Sequence, residues 1–510
     1  MPRTNSTLRT RATAIVNGLM LVASINFVGA DHLALGSPQP SGWVPGPSLT
    51  ANATVTGPIT GGDHGQAWGA MTSADLSTSG YVEAEYFYSG TATAYGQVGA
   101  WTADGVWPAK PTTTADYKVR MLVRRPVEAR HFNGVAVVEW LNVTALSEGA
   151  ADFIHMREEL LREGYCWIGI GAQSAGVNSP KTGLKAWDPA RYGSLVQPGD
   201  PYSYDIFSQG GQALRHPQGV DPLGGLKVRK ILATGRSQSA FRLVTYINAV
   251  HPLAHAYDGF LVHSRGANGS ALYDGAEGVV PKNTHIRSDI DVPVLCLQTE
   301  GGMITLKSHL ARQGQGSHFR QWEIAGAAHA EYPRWVVDVG ANVELGPGCK
   351  EPVNTAPHHA VVKAALHALA QWAMNGVAPR QSPLIELGDP AAADPIIRDK
   401  FGNARGGIRL PEMEAPTATL TGRSNSVAAA RSGSGAMNFC FLFGLTIPFD
   451  KAALEQLYPT HDSYVKSFNR ATESLVREGY WLKPEADEAR KAAEQSHIGQ
   501  SAGGSPSSSR

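Results

Sequence analysis

The sequence has no excess of charge of either sign. Its 510 residues include 44 Lys and Arg and 44 Asp and Glu, so the formal net charge is zero. A general nucleic-acid binder, or a protein that docks on anionic membranes, usually carries a basic field that attracts its partner from a distance. We therefore expect no nucleic-acid partner for this chain.

Cysteine is scarce, with four residues in the chain, and metal-binding motifs are missing. Neither a CxxC nor an HExxH pattern occurs, so the sequence supports no metal site, and no cofactor is expected. Cys166 and Cys296 lie inside apolar, strand-like runs and are predicted to be buried free thiols. Cys349 and Cys440 lie in less regular surroundings and could form a disulfide if the protein is exported.

Long apolar runs are also missing beyond the first 30 residues, so no stable membrane insertion is expected. The start itself resembles an export signal, because three arginines in the first 11 residues precede an uncharged, mostly apolar stretch. Residues 28–30 (VGA) form an acceptable cleavage site. We predict that residues 1–30 are a signal peptide and that the protein is periplasmic or extracellular. Without such processing it would be cytoplasmic.

What the chain does have is a regular alternation of strand-like and helix-like segments. Hydrophobic residues make up 42% of the chain, which suits a folded globular protein. Residues 134–141 and 165–171 are almost continuously apolar, as strands covered on both faces are. Strands alternating with helices predict an α/β fold, with a mostly parallel central sheet and helices on both faces. The other predicted strands are 81–92, 117–125, 228–233, 259–263, 292–299 and 318–324, and the predicted helices are 147–163, 204–214, 240–250, 360–375, 452–458 and 464–478.

The motif that indicates chemistry is ILATGRSQSA at residues 231–240. An apolar strand ends there, a Gly-x-Ser-x-small turn follows, and a helix begins, which is the setting of a nucleophile elbow. The turn lifts the hydroxyl of Ser237 above the sheet edge, so the residues two before and two after it must be small. Gly235 meets the first requirement, and Ser239 replaces the usual glycine at the second. The alternative is a plain strand-to-helix turn in which Ser237 only caps the helix.

A serine hydroxyl needs a base, and the base needs an acid to orient it. On a sheet with this kind of elbow, the acid and then the histidine should follow later strands. Glu300 stands at the C-terminal end of predicted strand 292–299 and is the expected acid. His329 lies in a loop of small residues after the last strand and is the expected base. His263, at the end of an earlier strand, is its main competitor.

An acyl-transfer site also needs two hydrogen-bond donors for the oxyanion. One expected donor is the backbone N–H of Gln238, at the start of the helix after the elbow. The other should come from the loop after strand 134–141, where Asn142 or its neighbour is the candidate. Asn142 could instead be an ordinary turn residue.

Several blocks of the sequence resemble one large family of bacterial proteins that contain an alpha/beta hydrolase domain. They are GYVEAEYFYSGTATAY, VVEWLNVT, ATGRSQSA, VPVLCLQTEGG, AGAAHAEY, PHHAVVKAALHALAQWAMNGVAP and the late block GLTIPFDKAALEQLYPTHDSYV. The resemblance runs from about residue 45 to residue 498 and implies the α/β-hydrolase fold, a nucleophile at Ser237 and a base at His329. Relatives often read Thr-Glu-x-Asp where this chain reads Thr-Glu-Gly-Gly, which leaves Glu300 as the only local acid. The family has no general, agreed substrate.

The domain organisation follows from these observations. Residues 31–498 are predicted to form one α/β-hydrolase domain, followed by a disordered tail at 499–510. Residues 172–226 are too long for a plain crossover and either line a substrate pocket or decorate the surface. Residues 412–435 are predicted to be an extended linker, and residues 436–498 a C-terminal helical extension.

Together these features predict a serine hydrolase that cleaves small-molecule carboxylic esters through an acyl-enzyme, with Ser237, Glu300 and His329 as its triad. Amidase, lactonase or acyltransferase activity on the same residues is the first alternative. A non-catalytic ligand-binding protein on a hydrolase scaffold is the alternative from another class. The sequence indicates neither the ester nor the oligomeric state.

Overall fold

Ten strands form one continuous sheet in the part of the chain that the structure describes. The computed structural model describes residues 50–71, 76–273, 280–332, 334, 348–427 and 439–500. In chain order, the strands of this sheet are β1 (Thr54–Thr56), β2 (Tyr81–Gln97), β3 (Ala109–Pro126), β4 (Val135–Trp140), β5 (Cys166–Ile170), β6 (Gln218–Gly219), β7 (Lys230–Arg236), β8 (Gly259–His263), β9 (Val294–Thr299) and β10 (Phe319–Ile324). Across the sheet their order is β10-β9-β8-β7-β4-β5-β3-β2-β1-β6.

The six strands from β10 to β5 run parallel, and β3 and β2 continue the sheet in antiparallel pairing. Every residue of β4, β5 and β9 is buried, because helices cover both faces of the parallel part. The predicted α/β fold with a mostly parallel sheet is therefore confirmed. β2 and β3 are 17 and 18 residues long, which is longer than the segments predicted from the sequence.

Helices pack on both faces of the sheet and follow it at the C-terminal end of the chain. In chain order they are α1 (Phe153–Arg162), α2 (Ser174–Asn178), α3 (Leu184–Trp187), α4 (Pro189–Tyr192), α5 (Ser203–Arg215), α6 (Gln238–Thr245), α7 (His251–Ala254), α8 (Glu300–Thr305), α9 (His359–Asn375), α10 (Pro411–Glu414), α11 (Lys451–Leu457), α12 (His461–Glu478) and α13 (Lys483–Gln495). A π-helical turn at Tyr246–Val250 extends α6. α5 and α6 contribute Phe207 and Leu243 to one core, and α1 and α9 contribute Phe153 and Leu366 to the other.

Strand β4 shows how the sequence divides side chains between these two cores. Ala136 and Val138 belong to the core on the side of α5 and α6, whereas Val135 and Val137 belong to the core on the side of α1 and α9. Successive side chains of a strand point to opposite faces. A strand that is covered on both faces is therefore apolar at most positions, and each such valine contributes roughly 1.5–3 kcal/mol of burial free energy. The exception in β4 is the buried Glu139, whose carboxylate accepts hydrogen bonds from the N–H groups of Asp152 and Phe153 and from Trp167 Nε1.

Two segments are more ordered than their composition suggests. The excursion 172–226 contains α2 to α5, and α5 is almost entirely buried. The predicted linker 412–435 starts inside α10 and includes a strand, β11 (Ala418–Thr421), which pairs antiparallel with β12 (Leu445–Pro448). The linker prediction is therefore wrong for the part that is described. A strand of four residues is too short for its period-two pattern to stand out in the sequence.

Cys349 and Cys440 form a disulfide, with their Cα atoms 5.4 Å apart. The disulfide closes a loop across a sequence separation of 91 residues, and this loop includes α9 and β11. Cys166 and Cys296 are free and buried, as predicted. Both lie in strands of the main sheet.

Removing this disulfide is expected to destabilise the protein. Replacing Cys349 and Cys440 by serine should lower the free energy of unfolding by about 2–4 kcal/mol, because the open loop gains conformational entropy in the unfolded chain. Chemical denaturation of the wild type and the double variant measures the difference. Adding reductant should lower the stability of the wild type alone, and an equal response in the double variant would contradict the explanation.

None of the helices in the described residues is long and apolar enough to span a membrane. The predicted signal peptide at residues 1–30 lies outside the described part of the chain, as do residues 501–510 of the predicted tail.

Candidate functional site

Ser237 occupies a strained turn between β7 and α6. Its φ is 56° and its ψ is −118°, a conformation that costs a non-glycine residue free energy and is typical of functional turns. A Cβ on Gly235 would lie 3.1 Å from the Cβ of Ser239, which explains why the position two before the serine has no side chain. Ser237 makes no capping hydrogen bond to α6, so its side chain is free for another role.

The hydroxyl of Ser237 is hydrogen-bonded to His329, with 2.9 Å between Oγ and Nε2. His329 follows β10 and is buried, with 2% of its surface exposed. Burial lowers the pKa of His329 well below its usual range, and the nearby charge of Arg236 lowers it further. The imidazole is therefore neutral at pH 7 and can accept the proton of the serine.

The predicted acid, Glu300, does not hydrogen-bond to His329. Its carboxylate is fully buried and accepts four hydrogen bonds from other groups. The donors are Arg398 Nη2 at 2.9 Å, Thr421 Oγ1 at 2.9 Å and Gly422 N at 3.0 Å on Oε1, and Gly326 N at 2.8 Å on Oε2. The carboxylate therefore fixes the loop that leads to His329, and it has no contact with the imidazole. Sequence reasoning missed these donors because three of them lie about 100 residues further along the chain.

Residues further along the chain also hold the loop that carries His329, at one point before the histidine and at one point after it. Asn354 donates its side-chain amide to the carbonyl of Gly326 at 2.7 Å. On the other side, the N–H of Ala330 donates to the carbonyl of Leu442 at 2.9 Å. The position of His329 therefore depends on residues that follow the last strand of the main sheet.

His263, the competitor for the base, lies away from the hydroxyl of Ser237. Its Nδ1 is 2.7 Å from Asp152 Oδ1, and both side chains are fully buried. Its carbonyl accepts the N–H of Ser237 at 3.0 Å. His263 thus supports the backbone of the elbow. Asp152 precedes α1 and belongs to no motif, so no pattern in the sequence indicated this pair.

The expected oxyanion donors have different surroundings. The N–H of Gln238 lies at the first position of α6, where the helix start directs donors at the elbow. The backbone N–H of Asn142 donates to the carbonyl of Gly149, and its side-chain amide donates to the carbonyl of Arg236. Asn142 therefore holds the loop in place. The next residue, Val143, directs its N–H at the side chain of Gln238 across 3.4 Å. Of these two backbone N–H groups, that of Val143 therefore has the longer hydrogen bond and that of Asn142 the shorter.

The excursion 172–226 contacts the site at its beginning. Gln238 donates its side-chain amide to Gln173 Oε1 at 2.9 Å. Asp200, further along the excursion, accepts from Arg242 of α6 at 2.7 Å. These two contacts place part of the excursion beside Gln238, the residue that follows Ser237.

One buried group near the site has the spacing of metal ligands. The ligand atoms of His155, His358 and Glu331 lie within 4.8 Å of one another. Burial lowers the pKa of both imidazoles, and the positive charge of Arg236 contributes to both shifts. The same charge would repel a cation, so we assign no metal to this group.

The chain can now be compared with known proteins. A family model described as "Alpha/beta hydrolase domain" matches residues 55–491. The chain belongs to the alpha/beta hydrolase domain family. The matched range extends from β1 into α13, so in this alpha/beta hydrolase the C-terminal segment belongs to the family's own unit.

Solved structures similar to this alpha/beta hydrolase share little sequence with it. An esterase from Pyrobaculum calidifontis is 12% identical, with a TM-score of 0.28, and the match covers 51% of this chain and 82% of that one. A dienelactone hydrolase from Anabaena variabilis is 11% identical, with a TM-score of 0.25 and coverage of 40% and 79%. An alpha-beta serine hydrolase homologue from Coxiella burnetii is 11% identical, with a TM-score of 0.25 and coverage of 43% and 86%. No curated protein matches the chain significantly.

Proposed function

We propose that this alpha/beta hydrolase cleaves carboxylic esters through an acyl-enzyme on Ser237. The observation that supports the proposal most directly is the 2.9 Å hydrogen bond between Ser237 Oγ and His329 Nε2. A serine that only capped a helix would need neither a strained backbone nor a neutral base at its hydroxyl. The substrate class is a small-molecule ester, and the chemistry needs no cofactor.

In the proposed reaction, His329 first acts as a base. Its Nε2 takes the proton of Ser237 while Oγ forms a bond to the ester carbonyl carbon, whose oxygen becomes an oxyanion. When the tetrahedral intermediate collapses, the bond to the leaving oxygen breaks and His329 gives that oxygen its proton. Water then attacks the acyl group and gives a proton to His329. The carboxylic acid leaves as His329 returns that proton to Ser237 Oγ.

The oxyanion is stabilised by two backbone donors in this proposal. The N–H of Gln238 is free of a partner inside α6 because it belongs to the first turn. The N–H of Val143 makes a long hydrogen bond to the side chain of Gln238, which a substrate oxygen can replace. One such donor contributes roughly 3 kcal/mol to the stabilisation of the transition state.

One observation favours a non-catalytic binding protein as the second candidate. Glu300 does not contact His329, so the base lacks the carboxylate that usually orients it.

Amide, lactone and acyl-transfer chemistry would use the same serine and base as ester cleavage. These activities differ in the leaving group and in the access of water to the acyl-enzyme.

A fluorophosphonate probe tests the proposal, since it reacts covalently with activated serines. We expect the native protein to be labelled, the adduct to map by mass spectrometry to the peptide that contains Ser237, and short p-nitrophenyl esters to be hydrolysed. A matched p-nitroanilide series separates esterase from amidase activity. A folded protein that is neither labelled nor active on any ester would favour the binding protein.

We further infer that the protein is exported with removal of residues 1–30. The disulfide between Cys349 and Cys440 supports this inference, because such bonds persist in oxidising compartments. N-terminal sequencing of the protein from its own cells should find Asp31 as the first residue, in the exported fraction. Recovery of the full-length chain in the cytoplasm would contradict it.

A further inference from the structure

The second ring nitrogen of His329 has no hydrogen-bond partner among the described residues, although it is buried. A buried polar atom of this kind is normally paired, because it has lost its hydrogen bonds to water and needs a replacement. For the base of a serine hydrolase the partner also has a chemical task. It fixes the proton on Nδ1, so that Nε2 presents a lone pair to the serine, and it stabilises the imidazolium that forms.

Gly302, on α8, lies directly beside this nitrogen. A Cβ built on Gly302 would be 3.6 Å from His329 Nδ1, 3.7 Å from Gln298 Oε1 and 3.4 Å from Thr299 Oγ1. All three distances are ordinary van der Waals contacts, so there is room for a Cβ at this position. A carboxylate oxygen of aspartate lies two bonds beyond Cβ and would come within hydrogen-bond distance of Nδ1.

Glu300 does not take this place, although it is only two residues away. Its carboxylate is fully occupied by the four donors described above. Gln298 is also close to the position of the missing Cβ, and its Oε1 is buried without a hydrogen-bond partner in the described residues. Among the residues that the structure describes, the surroundings of Gly302 therefore contain two unpaired polar atoms, and no carboxylate hydrogen-bonds to His329.

We propose that position 302 is the acid position of this active site, and that glycine there makes the enzyme a Ser237–His329 dyad. The proposal rests on the proposed function. In this dyad, burial and the hydrogen bond to Ser237 are what orient the imidazole. The proton on His329 Nδ1, which an acid would accept in a hydrogen bond, has no acceptor among the described residues. Turnover is therefore slower than the scaffold allows, and one substitution should raise it.

The test compares three substitutions with the wild type. Gly302→Asp should raise kcat on p-nitrophenyl esters at least about tenfold with little change in KM, since loss of a correctly paired aspartate costs up to roughly 10⁴-fold in a complete triad. Gly302→Asn should not raise kcat, because its amide can donate to Nδ1 and favour the wrong tautomer. Gly302→Ser introduces a smaller hydrogen-bond acceptor and should raise kcat less than Gly302→Asp does. It replaces the aspartate variant in the test if that variant does not fold.

A second readout is independent of turnover. In the aspartate variant, the proton on His329 Nδ1 should give a strongly downfield NMR resonance that the wild type and Gly302→Asn lack. If the resonance appears in Gly302→Asp but neither this variant nor the wild type hydrolyses esters, the acid position is supported and the proposed function fails. A folded aspartate variant without that resonance, or one no faster than the asparagine variant while both are labelled at Ser237, would overturn the proposal.

Discussion

Replacing Ser237 by alanine is expected to remove fluorophosphonate labelling and to lower ester turnover by roughly 10⁴-fold or more. The reason is that His329 then has no hydroxyl to activate, and the acyl-enzyme cannot form. The change removes one oxygen atom from the turn and keeps Cβ, so the fold should persist. Labelling in gels and initial rates on short p-nitrophenyl esters measure the effect, with circular dichroism as the check on folding.

Ser239→Ala is the matched control for this experiment. Ser239 lies two residues further along and is fully buried, and its hydroxyl has no hydrogen-bond partner among the described residues. Its removal should leave labelling and turnover close to those of the wild type. If Ser237→Ala still reacts with the probe, the nucleophile is another residue and the elbow is only structural.

Replacing Glu300 by glutamine is expected to destabilise the protein by about 3 kcal/mol, because it removes the fully buried charge that pairs with Arg398 and leaves that guanidinium only the partly exposed Asp394. The carboxylate of Glu300 is the acceptor in all four of its hydrogen bonds, and both of its oxygens take part. An amide has one acceptor oxygen, so its NH₂ group must face a donor whichever way it is turned. Denaturant titration measures the loss of stability.

The same variant separates a structural role of Glu300 from a catalytic one. If the residue were the triad acid, glutamine would lower kcat by roughly 10⁴-fold with stability near that of the wild type. We expect instead a clear loss of stability and, for the protein that is still folded, a modest loss of kcat. Glu386→Gln is the control, since Glu386 pairs with Arg405 at the surface and should cost less than about 1 kcal/mol.

The sequence was most informative where one local pattern determines structure. The apolar runs at β4 and β5 predicted buried parallel strands, because only strands covered on both faces are apolar throughout. The order of strands also brought Ser237 and His329 to the same edge of the sheet, since the ends of parallel strands meet there. Both inferences needed only neighbouring residues and the direction of the strands.

The sequence failed where contacts join distant segments or use the backbone. Nothing near Glu300 showed that Thr421 and Gly422 would bind its carboxylate, because those residues lie in a stretch that reads as a linker. The choice between Asn142 and Val143 as oxyanion donor is a choice between backbone N–H groups, which the side chains do not encode. The resemblance to the family had already marked Gly302 as the place where relatives often carry Asp, but its closeness to His329 Nδ1 is a matter of distance, which the sequence does not contain.

The disulfide has a consequence for the order in which the proposed active site would form. Cys349 lies close in sequence to Asn354, and Cys440 to Leu442, so the bond joins the two segments that hold the loop of His329. Ser237, by contrast, directly follows strand β7 of the main sheet. If Ser237 and His329 act as proposed, a chain that is still reduced would carry a formed elbow beside a loosely held base, and oxidation would be the last step of its maturation.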